Sequence, residues 1–140
     1  MKLLGAEVAR SLKVEASEEK LVILVLQGDF GAGKTTFTQG LAAELGITEP
    51  VTSPSYVYIQ EYNLPGGKAK LVHVDAWRVK RAEDLLLTGL GDYLLPGNVV
   101  VVEWGGDLIA EFLGKLPEGN LVTKTIKITE RGEDRDVEIS

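Results

Sequence analysis

The chain has 140 residues and a formal net charge of -6, from 15 Lys and Arg against 21 Asp and Glu. With 44% hydrophobic and 26% charged residues, residues 1–140 read as one globular domain, and wholesale disorder is excluded. Zero cysteines and one histidine exclude disulfides, zinc–thiolate sites and any multi-histidine metal centre, and the acidic balance argues against strong direct binding of nucleic acid.

Leu3, Leu4, Val8, Ala9 and Leu12 fall near helical spacing and predict a short amphipathic helix over Lys2–Leu12. Glu7, Arg10 and Lys13 interrupt the apolar segment a signal peptide would need, so none is expected. Leu12–Lys20 is polar and reads as a loop. Leu21–Leu26 (LVILVL) is a short apolar run ended by a glycine-rich turn, the pattern of a strand buried on both faces. It is the longest aliphatic run and far too short to cross a bilayer, so no membrane and a cytoplasmic location are expected. Lys34–Leu45 is the next helix, with Phe37, Leu41 and Leu45 on one face and Gly46 as its stop.

After a loop over Thr48–Pro54, Tyr56–Tyr62 and Lys70–Asp75 read as strands around the turn signals of Asn63–Lys68, which predicts a β-hairpin. Arg81–Leu95 predicts one or two short helices broken near Gly89 and Gly91. Asn98–Trp104 (NVVVVEW) is a second buried strand ending in a carboxylate. Asp107–Leu113 follows as a helix with Asp107 as N-cap. Leu121–Thr129 and Arg135–Ile139 predict two strands joined by a charged turn over Glu130–Asp134.

The chemistry concentrates in Gly28-Asp29-Phe30-Gly31-Ala32-Gly33-Lys34-Thr35, which matches the phosphate-binding pattern G-x-x-x-x-G-K-[ST] between a strand and a helix. Glycines let the backbone wrap close to a phosphate with N–H groups pointing inward, and the helix start adds its positive dipole end. Lys34 would reach the β- and γ-phosphates, and the Thr35 hydroxyl would bind Mg²⁺. Glu103 and Asp75, both at the carboxyl ends of apolar strands, are the candidate acids: one would hold Mg²⁺ and the other could orient the attacking water. Thr52-Ser53-Pro54-Ser55-Tyr56 lies where switch segments of nucleotide hydrolases sit and its hydroxyls could sense a γ-phosphate or metal, while an ordinary Ser/Pro turn has the same pattern. Trp77, Trp104 and Tyr56 could flank the site or simply pack, and Arg78 and Arg81 could lend positive charge or stay solvated. His73, inside a strand, reads as structural.

GDFGAGKTTF, TSPSY, HVDAWR and VVVVEW, in this order, resemble the TsaE (YjeE) family, bacterial P-loop ATPases required for tRNA threonylcarbamoyladenosine biosynthesis; the similarity runs from about Leu4 through Asp136. The resemblance implies an α/β fold, a P-loop NTPase-like three-layer sandwich around a mixed, mostly parallel sheet with a β-hairpin and antiparallel C-terminal strands. It implies an ATPase component of the machinery that modifies adenosine 37 of tRNAs decoding ANN codons. Its implied partners are the transferase subunit TsaD and its companion TsaB, with tRNA met only through that complex. By the same resemblance, Phe30, Gly31, Ala32, Gly33, Lys34, Thr35 and Thr36 would bind ATP or ADP, and Thr35 with Glu103 would bind Mg²⁺. Lys34, Asp75 and Glu103 would be catalytic, Ser53, Ser55 and Tyr56 would form the switch, and Trp104 and Arg135 would lie by the nucleotide. The family's N-terminal strand, which helps form the base pocket, is expected to be absent, and the Lys13–Lys20 loop is longer than usual. DAWR and VEWGG stand for the commoner DLYR and VEWP. Two rival readings share the loop: a small-molecule kinase, which would use an arginine-rich lid although only five arginines occur, and a module that holds nucleotide without turning it over.

Overall fold

Two apolar runs, LVILVL and VVVV, form the centre of a sheet in the computed structural model, which describes residues 1–15, 20–28, 33–52, 59–77, 79–104, 106–113 and 121–140. Among these residues the strands are β1 (Leu21–Gln27), β2 (Ile59–Asn63), β3 (Lys70–Asp75), β4 (Val99–Glu103), β5 (Leu121–Arg131) and β6 (Asp134–Ile139). They lie in the order β2-β3-β4-β1-β5-β6. β3, β4, β1 and β5 are parallel neighbours, while β2 and β6 pair antiparallel with β3 and β5 at the two edges.

The helices are α1 (Lys2–Glu15), α2 (Lys34–Glu44), α3 (Ala82–Leu87) and α4 (Gly106–Leu113), with a 3-10 turn over Leu90–Tyr93. Successive strand residues point to opposite faces. Val22, Leu24 and Leu26 of β1 pack with Val8, Leu12, Phe37 and Leu41 of α1 and α2. Ile23, Val25, Val100 and Val102 pack on the other face with Leu85, Leu90 and Ile109. The result is the expected three-layer P-loop type of sandwich, and burial on both faces explains why these strands read as continuous apolar runs.

α1 and α2 cross at unusually close range. A Cβ on Gly40 would lie 2.0 Å from the Lys2 carbonyl oxygen, and one on Gly5 would lie 2.1 Å from that of Phe37. Only glycine admits this approach. At the other end of the sheet, buried Asn98 ties three elements: Oδ1 accepts the Lys70 N–H at 2.9 Å and Nδ2 donates to the Tyr93 carbonyl at 2.8 Å. The Tyr93 phenol donates to Glu61, and this bond, with that from Lys70, holds the Glu61 carboxyl below the usual carboxylate range. The same bond, together with burial, raises Tyr93 above the ordinary phenol value.

Several boundaries differ from expectation. α1 runs on to Glu15, because good helix formers such as Lys13 and Glu15 extend it into the segment read as polar loop. Gly89, left-handed at φ 91°, breaks the Arg81–Leu95 segment, whereas Gly91 stays inside the 3-10 turn. α4 starts at Gly106, so Asp107 lies within its first turn and is not the cap. The C-terminal hairpin turns through Gly132 and Glu133 alone, with Arg131 paired to Asp134, so most of the charged segment read as turn is strand. The first residues of the Tyr56–Tyr62 strand lie outside the described residues.

Candidate functional site

Because β1, β3 and β4 are parallel, their carboxyl ends share one edge of the sheet. Register places Glu103 beside Leu26 on one side and Asp75 on the other. The glycine loop leaves β1 at this edge and α2 begins there at Lys34. Asp29, Phe30, Gly31 and Ala32 lie outside the described residues, but both ends of the loop are defined. Gly33 adopts φ 97° as it enters α2, a conformation that disfavours any side chain. The first turn carries no acidic residue and Gly33 offers no capping side chain, so neither offsets the partial positive charge at the start of α2.

Lys34 is only 6% exposed. Its Nζ donates to the Gly28 carbonyl at 2.9 Å and sits 3.4 Å from the centre of the Trp104 ring. A buried ammonium requires such partners, since desolvation is otherwise prohibitive. Trp104 reaches this position with φ 65°, the one positive φ outside glycine among the described residues, a backbone state costing about 1–3 kcal/mol. Trp77, 53% exposed, meets the Trp104 ring edge-on, with centroids 4.8 Å apart. Trp104 thus lies against the lysine, and Trp77 packs against Trp104.

Glu103 is 5% exposed and its Oε2 lies 2.7 Å from Nε2 of His73, which is fully buried. His73 is thus more than a packing residue in a strand: two positions before Asp75 on β3, it faces the carboxylate that ends β4. Asp75 is half-buried; its Oδ1 accepts the Trp77 N–H at 2.9 Å, and the next N–H, of Ala76, donates to the Glu103 carbonyl. Thr35 is half-buried and Thr36 exposed on the first turn of α2. No three His, Cys, Asp or Glu side chains cluster as a metal cage among the described residues. Two carboxylates and a hydroxyl, all hard oxygen donors, fit Mg²⁺, which commonly takes one or two carboxylates and completes its shell with phosphate and water.

Of the expected switch, Ser53, Ser55 and Tyr56 lie outside the described residues, as does Arg78. The approach to the switch is tethered: Gln39 on α2 donates to the Val51 carbonyl at 3.0 Å, and the Thr52 N–H points at the Tyr62 hydroxyl at 3.4 Å. Neither tether was singled out from sequence. Arg81 is exposed ahead of α3. Arg135 lies on edge strand β6, three places along the sheet from β4, bonded to the Asp134 carbonyl and paired with Glu130. A cavity of about 360 Å³ between α2 and the 47–52 loop is lined by Gln39, Ala43, Glu49 and Thr52, and by neither Lys34, Asp75 nor Glu103. No helix among the described residues is long and apolar enough to cross a membrane.

Comparison with known proteins matches residues 1–137 to the family model described as "Threonylcarbamoyl adenosine biosynthesis protein TsaE". A tRNA threonylcarbamoyladenosine biosynthesis protein TsaE of Bacillus subtilis is 44% identical over 113 residues, covering 80% of this chain and 64% of that protein. This chain therefore matches less than two thirds of that relative's length. The protein of the same description from Haemophilus influenzae is 32% identical over 121 residues, covering 86% and 71%. The crystal structure of Bacillus subtilis YdiB superposes with a TM-score of 0.64 at 34% identity, covering 99% of this chain and 78% of the other.

Proposed function

Since the chain belongs to the TsaE family of threonylcarbamoyl adenosine biosynthesis proteins, we propose that it is the Mg²⁺-dependent ATPase of the machinery that installs threonylcarbamoyl on adenosine 37 of tRNAs reading ANN codons. The observation that carries this reading is Lys34, a buried ammonium held between the Gly28 carbonyl and Trp104 at the start of α2, at the edge where β3 and β4 deliver Asp75 and Glu103. In this reading residues 1–140 act as one domain.

The chemistry follows from charge. Hydrolysis of ATP develops negative charge on the γ-phosphoryl oxygens, and positioned positive groups lower its energy. Lys34 and the backbone N–H groups of residues 30–36 hold the β- and γ-phosphates. The Thr35 hydroxyl and Glu103 would hold Mg²⁺, which would supply further positive charge to the phosphates. Asp75, the less buried of the two acids, orients the attacking water, and Trp104 closes one side of the site. Arg135 serves the nucleotide from the C-terminal hairpin.

A chain of net charge -6 is poorly suited to hold a polyanion. Its direct partners in this reading are ATP and proteins, the transferase subunit TsaD with TsaB, and it meets tRNA only in their company, in the cytoplasm. The test is reconstitution: the transferase heterodimer, substrate tRNA and threonylcarbamoyl-adenylate, with this chain or its Lys34→Ala variant. Sustained modification is expected only with the unaltered chain and ATP. Equal modification with the variant, or without any of this chain, would sink the assignment.

A further inference from the structure

We propose that His73 is a positioning residue for Glu103: its buried imidazole holds one carboxylate oxygen and so fixes the orientation in which the carboxylate meets the cation. The inference rests on the reading that Glu103 serves Mg²⁺, and it adds a residue that neither the loop motif nor the strand-end acids include.

The geometry supports this. Nε2 of His73 and Oε2 of Glu103 are hydrogen-bonded at 2.7 Å. The ring is held in place by the sheet: His73 stands opposite Val101, two residues before Glu103 on the parallel neighbour, and both side chains are enclosed. Around many metal ions a histidine and a carboxylate pair in this way, one binding and the other aligning.

The test compares His73→Leu, which removes the hydrogen-bonding ring, with His73→Gln, whose carboxamide N–H reaches about as far as Nε2. Calorimetric titration with ATP is run with and without Mg²⁺ on variants whose folding is checked by circular dichroism. His73→Leu is expected to weaken Mg²⁺-ATP binding by about 10–100-fold, with metal-free ATP binding changed less than about 3-fold and His73→Gln restoring most of the loss. Equal losses with and without Mg²⁺, or a Gln variant no better than Leu, refute positioning. Should Leu fail to fold, a Gln variant that binds Mg²⁺-ATP as poorly as Glu103→Gln refutes it as well. Glu103→Gln separates the two levels. If it leaves Mg²⁺-ATP binding intact, the metal reading of Glu103 itself fails; if it weakens binding while His73→Leu does not, only the role of His73 is lost.

Discussion

Gly40→Ala sets two effects against each other. In an exposed helix interior, alanine is favoured over glycine by about 0.8–1.0 kcal/mol. At position 40 the new Cβ would lie 2.0 Å from the Lys2 carbonyl oxygen and 2.6 Å from the carbonyl carbon and Cα, where real Cβ contacts essentially never fall below 3.0 Å. The obstacle is backbone, which cannot rotate aside, so α1 must withdraw from α2 by about 1 Å. Overpacking of this kind costs about 1–3 kcal/mol and commonly the upper part of that range when no side chain can yield. The net expectation is a loss of about 1–2 kcal/mol, read as a melting temperature lower by roughly 3–8 °C for a chain of this size. Gly5→Ala meets Phe37 and Leu41 backbone atoms at 2.1 and 2.7 Å across the same crossing and should behave alike. Once one alanine has parted the helices the second finds more room, so the double variant should lose less than the sum of the two. Thermal and urea unfolding of the four proteins measures this. A higher melting temperature for Gly40→Ala, as propensity alone requires, would refute the reasoning.

Asn98→Ala strips two hydrogen bonds from a buried node and leaves the Lys70 N–H and the Tyr93 carbonyl without that partner. A loss of about 1–3 kcal/mol in urea unfolding is expected, and a loss under about 0.5 kcal/mol would contradict the node's importance. The Glu61–Tyr93 bond predicts a pH signature. Glu61 is lowered in the folded state, so its contribution is present above the unfolded carboxyl value and is lost as pH falls through the folded one. Tyr93 is raised, so its contribution holds below about pH 10 and is lost above it. Both effects should stay under about 1 kcal/mol because the pair is solvent-screened. Glu61→Gln should flatten the acid limb of stability against pH and bring the Tyr93 titration, followed by ultraviolet absorbance, down toward the ordinary phenol value.

Much of the sheet was legible because its chemistry is local. LVILVL and VVVVE are continuous apolar runs, and Pro65-Gly66-Gly67 marks the hairpin between β2 and β3. Helix ends were less legible: the helix propensity of Lys13 and Glu15 is a weak signal beside their polarity, which suits a loop equally well, and a 3-10 turn tolerates Gly91 where an α-helix would be expected to break. Lys34 and Thr35 stand out as candidates from the eight-residue loop pattern, and Asp75 and Glu103 from their places at the ends of apolar runs. The partners of those residues do not. His73 meets Glu103 across 30 residues, and Gly5 meets α2 across 32 or more, through register and helix crossing that no local pattern encodes. Trp104 reaches Lys34 only through a positive φ that its residue type argues against.

The central claim, ATP hydrolysis at the Lys34–Glu103 edge, is tested most directly by phosphate release from ATP. The purified chain is assayed alone and with the transferase heterodimer, each with Mg²⁺ or with a chelator, beside Lys34→Ala. Slow, Mg²⁺-dependent release is expected, falling about 100-fold or more in the variant. Release unchanged by Lys34→Ala or by the chelator would contradict it, as would tight ATP binding with no release even when the heterodimer is present.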